Sequence, residues 1–201
     1  MGPNRQRLTR GVSCALVVFA TFLIFGAGAA SPNTKGEHCV GPDGTDLNEF
    51  YGVSETIVVA FCPELRTGEH WTTTSRWFVA ESYGPVPPGF MPAPGATPVD
   101  DFLAKFVGVR YVIDPGTRQQ RTYVFPNSDK LFMAAVGSAT LFNPITLGTL
   151  HPLSAGQHVI DRYWRMSALH CDGIGDSLEE NCLPAGDTFF GSVTFDVVLA
   201  P

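Results

Sequence analysis

Cysteine placement constrains this chain more than any other feature. Of its five cysteines, Cys14 lies in an apolar N-terminal stretch. The other four form two local pairs, Cys39 with Cys62 and Cys171 with Cys182. Each pair brackets one short segment, and short loops are the easiest to close, so this connectivity is expected over the alternatives. A zinc site combining cysteines with His38, His70 or His170 is the competing arrangement, but the sequence has no C-x-x-C spacing. Two disulfides require an oxidising compartment, and hence export.

The N-terminus supplies the export signal. Arg5, Arg7 and Arg10 precede a stretch from Val12 to Phe25 interrupted only by Ser13 and Thr21, and Gly26-Ala27-Gly28-Ala29-Ala30 follows. A basic start, a short apolar segment and small residues are the parts of a secretory signal peptide, here residues 1–30, with cleavage after Ala29 or Ala30. The apolar segment is about 14 residues long, short of the ~20 that span a bilayer as a helix. Removing residues 1–30 leaves 10 basic against 19 acidic residues, a net charge of −9. That balance speaks against nucleic acid or an anionic membrane as partner and favours solubility. The reading is a secreted protein that has no membrane attachment after cleavage.

Residues 31–55 read as a flexible terminus and a Gly/Asp-rich loop, and 56–201 as a single domain. Thr56 to Cys62 and His70 to Ala80 have strand composition. Pro85, Pro87, Pro88, Pro92, Pro94 and Pro98 then exclude any ladder or helix, leaving a Pro-rich surface insertion. Thr97-Pro98-Val99-Asp100 starts one short helix, with Thr as N-cap, Pro in the first turn and acids after it, ending near Lys105. Phe106 to Asp114 and Arg118 to Phe125 flank the turn Asp114-Pro115-Gly116-Thr117 and form a hairpin. Lys130 to Val136, Ala139 to Phe142, Ile145 to Leu147, Gln157 to Leu169 and Thr188 to Leu199 are further strands. In the first long strand neither alternate face is cleanly apolar; in the last, Phe189, Gly191, Val193, Phe195, Val197 and Leu199 make a stripe. Many short strands with Gly/Pro turns indicate an all-β, antiparallel β-sandwich.

The segment Leu153-Ser154-Ala155-Gly156-Gln157-His158-Val159, with its strand, loop and last strand, resembles the closing hairpin of bacterial immunoglobulin-like domains over Pro152 to Leu199. The resemblance implies an Ig-like sandwich and little about function. The leader and the segment DGTDLNEFYGVSE also resemble exported bacterial proteins of unassigned role.

No nucleophile elbow, zinc-protease helix, phosphate loop or EF-hand spacing is present, and no catalytic residue is assigned. His158 is expected to bond backbone at the turn. His70 stands beside Glu69, but adjacent strand residues face opposite ways. Two acidic loops are candidates for calcium: Asp43, Asp46 and Asn48, and the stapled loop with Asp172, Asp176, Glu179 and Glu180. Tyr83, Phe90 and Met91, in or beside the Pro-rich insertion, are the candidate binding surface, with pinning of the loop as the alternative role for Phe90 and Met91. The functional expectation is a binding or structural module for an extracellular protein or surface ligand. A small extracellular hydrolase with a convergent site and a calcium-stabilised module are the alternatives.

Overall fold

A computed structural model describes residues 38–127, 131–144 and 150–200. The leader, residues 31–37, Lys130 and the Ile145–Leu147 strand lie outside the described residues. In chain order the elements are α1 (Leu47–Tyr51), β1 (Thr56–Ile57), β2 (Glu64–Arg66), β3 (Trp71–Thr72) and β4 (Trp77–Ala80). Then come α2 (Pro98–Lys105), β5 (Phe106–Ile113), β6 (Arg121–Pro126), β7 (Leu131–Val136) and β8 (Ala139–Pro144). β9 (Gly156–Met166), β10 (His170–Cys171), α3 (Leu178–Asn181), β11 (Cys182–Leu183) and β12 (Gly186–Val198) complete the chain.

The protein is mostly β. One sheet has the order β2-β12-β9-β5-β6 and a second the order β4-β8-β7, with two small pairs, β1-β3 and β10-β11. Pairing is antiparallel except for β1 with β3 and β12 with β2, which run parallel and correct the wholly antiparallel expectation. Three helices are described where one was expected. The extra two are single turns begun by local caps, in which the Asp46 carboxylate accepts from Glu49 N and the Ser177 hydroxyl from Glu180 N.

Local chemistry explains α2. The Thr97 hydroxyl accepts from Asp100 N at 3.1 Å, and the Asp100 carboxylate accepts from Thr97 N at 3.2 Å, a reciprocal capping box with Pro98 in the first turn. The helix buries Phe102 in the core. Its ring stacks on Phe142 of the three-stranded sheet at 4.1 Å between centroids and meets Trp164 of the five-stranded sheet edge-on at 5.7 Å. One apolar core therefore joins α2 to both sheets, including Val79, Tyr111, Ile113, Ile160 and Phe195.

β9 and β12 pair over almost their whole length, from Gly186↔Met166 to Val197↔Gly156. The buried face of β9 carries His158, Ile160, Trp164 and Met166. In β12 the expected stripe holds only at Val193, Phe195 and Val197. Phe189 and Leu199 are exposed. The register steps between Phe189 and Gly191, so Phe190 is an extra residue that switches which alternate positions face inward.

The strand expected over His70 to Ala80 is interrupted. Thr73, Thr74 and Ser75 are buried but lie outside any ladder. Here side chains replace ladder bonds: the Thr73 hydroxyl donates to Val58 O at 2.8 Å. The segment Thr56 to Cys62 likewise keeps a ladder only at β1 and turns back through Val59 and Cys62. Both disulfides are as expected, Cys39–Cys62 and Cys171–Cys182. Their sequence separations of 23 and 11 correspond to about 3.4 and about 2.8 kcal/mol on the chain-entropy model. The first bond sits in its own small cluster with Leu47, Val53, Ile57 and Val59, so Cys39, Leu47 and Val53 of this segment are packed.

Candidate functional site

The Pro-rich insertion folds onto the stapled loop. Gly84 N donates to Gly173 O at 3.1 Å, and Ala80 N donates to Asp172 O at 2.8 Å. Gly173 is required there: its φ is +76°, and a Cβ would meet the Pro98 ring at 2.7 Å. The three residues of the expected binding surface separate. Phe90 is 7% exposed and packs on Cys171 and Cys182, with Tyr83 at 5.8 Å between ring centroids. Met91 is 88% exposed. Phe90 therefore pins the insertion, Tyr83 backs it, and Met91 alone is presented to solvent. The stapled loop adds two exposed apolar side chains, Ile174 and Leu178.

Beneath this platform lies a charged cluster. Asp101 of α2 accepts from Lys105 Nζ at 2.6 Å and pairs with Nδ1 of the fully buried His170 at 2.9 Å. Lys105 also donates to Leu169 O at 2.6 Å and stands 5.4 Å from the Phe90 ring centroid. Burial pushes the His170 imidazole's pKa down, and the Asp101 carboxylate opposes this only in part. Burial and the Asp101 charge push the Tyr83 phenol well above its ordinary range. The cluster ties the helix, the insertion and the stapled loop together.

Of the carboxylates read as calcium ligands, Asp172, Asp43 and Asp46 hold hydrogen bonds within their own loops. Asp172 accepts from Ile174 N at 2.8 Å and from Asn181 Nδ2 at 3.1 Å. Asp176 is exposed, as are Glu179 and Glu180 in the first turn of α3. In the other loop Asp43 accepts from Thr45 N, Asp46 caps α1 and pairs with His38, and Asn48 bonds the backbone of Cys39, Val53 and Glu55. Among the described residues no three His, Cys, Asp or Glu side chains are grouped to hold a metal.

Among the histidines, His158 is engaged through both nitrogens. His158 has Nδ1 2.7 Å from the Asp114 carboxylate and donates from Nε2 to Ser154 O at 2.9 Å, so neither nitrogen is left for a substrate. Asp114 in turn accepts from Val159 N, holding the β5–β6 turn against β9. Glu69 accepts from Thr56 Oγ1 and Arg66 N, and His70 is exposed, its ring 6.5 Å from that of His151. His170 offers an Nε2 with no hydrogen-bond partner among the described residues, but it is sealed from solvent.

A second polar group, unanticipated from sequence, lies on the inward face of β9. Arg162 sits between Ile160 and Trp164, paired across the sheet with Tyr111 of β5 and Gly191 of β12. Its Nη1 donates to Thr74 O at 2.6 Å. The signal for it was present: a cation at an inward position of an alternating strand is why neither face of that strand looked apolar.

Searches against protein-family models, curated proteins and solved structures return no match to this chain.

Proposed function

We propose that this chain is an exported, immunoglobulin-like β-sandwich that acts by binding an extracellular protein, with the insertion and stapled loop as its recognition surface. One observation carries the reading. Met91, 88% exposed, is held next to Phe90, 7% exposed, on a disulfide-stapled base. An apolar side chain on a pre-ordered loop costs less ordering entropy on binding than one on a mobile loop, and rigid scaffolds place recognition on such loops. Both disulfides support export. The long β9–β12 pairing supports the Ig-like reading of the closing hairpin. Engagement of both His158 nitrogens favours binding over hydrolysis.

The test is photo-crosslinking in producing cells from a benzoylphenylalanine placed at position 91, against the same probe at exposed Thr194 of β12. The expected result is a discrete adduct from position 91 that excess unlabelled protein suppresses. Equal, uncompeted labelling from both positions would refute the reading.

A further inference from the structure

Met91 differs from the other methionines among the described residues in its exposure. It is 88% exposed, Met133 of β7 is 51% exposed, and Met166 of β9 is 2% exposed within the core. Oxidation of a thioether by a peroxide follows access, because water must reach the sulfur to solvate the leaving hydroxide. The groups that would compete for such an oxidant are withdrawn. Cys39, Cys62, Cys171 and Cys182 are tied up in the two disulfides, which present no thiolate. Trp71 and Trp164 are 0% exposed, and Trp77 is half-buried against the core. Among the described residues, Met91 therefore holds the most exposed sulfur.

The surroundings of Met91 decide what its oxidation does. The insertion is held by contacts that do not use this side chain. Phe90 packs on Cys171 and Cys182, Phe90 N donates to Pro87 O at 3.0 Å, and Gly84 N donates to Gly173 O at 3.1 Å. A sulfoxide at position 91 thus buries no new polar group, whereas one at Met166 would put an S–O dipole into the apolar core. The change is confined to the surface, where a flexible apolar side chain becomes a polar one.

We infer that Met91 is a selective oxidation site, at which a peroxide forms the sulfoxide ahead of Met133 and Met166 and switches the insertion from an apolar to a polar surface without unfolding it. The sulfur lone pair attacks one oxygen of hydrogen peroxide, the S–O bond forms as the O–O bond breaks, and the departing hydroxide takes up the remaining proton as water. Sulfur loses two electrons and the peroxide gains them. The consequence for binding rests on the recognition surface proposed above; the site of oxidation does not.

Purified protein is treated with hydrogen peroxide, and its methionine-bearing peptides are followed by mass spectrometry. The expected result is a gain of about 16 Da on the Met91 peptide first, about twofold faster than on the Met133 peptide and about tenfold or more faster than on the Met166 peptide. The melting temperature of protein oxidised at Met91 should fall by no more than about 2 °C. Equal or faster oxidation at Met133 or Met166, or a larger melting loss, overturns the inference. Binding is read in a Met133→Leu chain, where Met91 is the one exposed methionine among the described residues, with benzoylphenylalanine at exposed position 174 of the stapled loop. Added to producing cells after the peroxide is removed, the oxidised protein should give at least about fivefold less adduct than the untreated protein, and methionine sulfoxide reductases should restore it. An adduct that oxidation leaves unchanged, or that reduction does not restore, overturns the switch. No adduct even from the untreated protein refutes the recognition surface and with it the effect on binding, while the peptide rates still decide the oxidation site.

Discussion

Replacing Phe102 with alanine tests the claim that α2 is the joint between the two sheets. The side chain is 0% exposed and touches four rings: Phe106, Phe142, Trp164 and His170, with centroids at 5.2, 4.1, 5.7 and 5.2 Å. These neighbours belong to different elements and cannot all move in to fill a void. Phe→Ala at such a site costs about 3–5 kcal/mol in transfer and cavity terms. A domain of this size melts about 2–4 °C lower per kcal/mol, so the expected loss is roughly 6–20 °C. Leu103, the next residue on the same helix, is 40% exposed; its change to alanine should stay within about 0.5 kcal/mol. Phe102→Leu keeps most of the volume and should cost under about 1.5 kcal/mol. Urea denaturation with a common m-value, checked by calorimetry, measures all three. A Phe102→Ala loss no larger than that of Leu103→Ala would refute the packing argument.

Two further outcomes are expected. His170 is held neutral by burial, so its folded pKa lies below the unfolded value of 6.5; the unfolded chain then binds the extra proton first, and stability is full above pH 6.5 and falls as pH drops through the window beneath it. Asp101, Lys105 and Asp172 face the ring and set the depth of that window; urea midpoints measured between pH 7.5 and pH 5, with an NMR titration of His170, check it, and a midpoint that does not fall would contradict the assignment. Gly108 has φ +137°, and a Cβ there would sit 2.0 Å from Phe125 O, so Gly108→Ala should break the β5–β6 pairing, seen as lost amide protection across Arg121–Pro126, whereas retained protection would show that the backbone can yield.

Much of this protein is legible wherever the determining contacts are close in sequence. The α2 start rests on Thr97, Pro98 and Asp100, and the observed capping box uses those residues and no others. The turn at Asp114 to Thr117 closes by Thr117 N donating to Asp114 O, a bond within four residues. The disulfides follow the short loops because proximity along the chain governs closure.

What escaped the sequence depends on partners far along the chain. Thr73 and Thr74 have strand composition, but Val58 and Arg162 take the hydrogen-bonding roles a ladder would supply. The apolar stripe of β12 breaks at one inserted residue, Phe190, and only pairing with β9 reveals where the insertion falls. Phe90 and Met91 are neighbours of similar hydropathy, yet one is buried and one exposed because the Cys171–Cys182 staple lies beneath only the first. Local chemistry determined the caps, turns and staples by itself. Which side chains face one another across the sheets was decided by tertiary structure, because burial is a property of neighbours that adjacent residues do not specify.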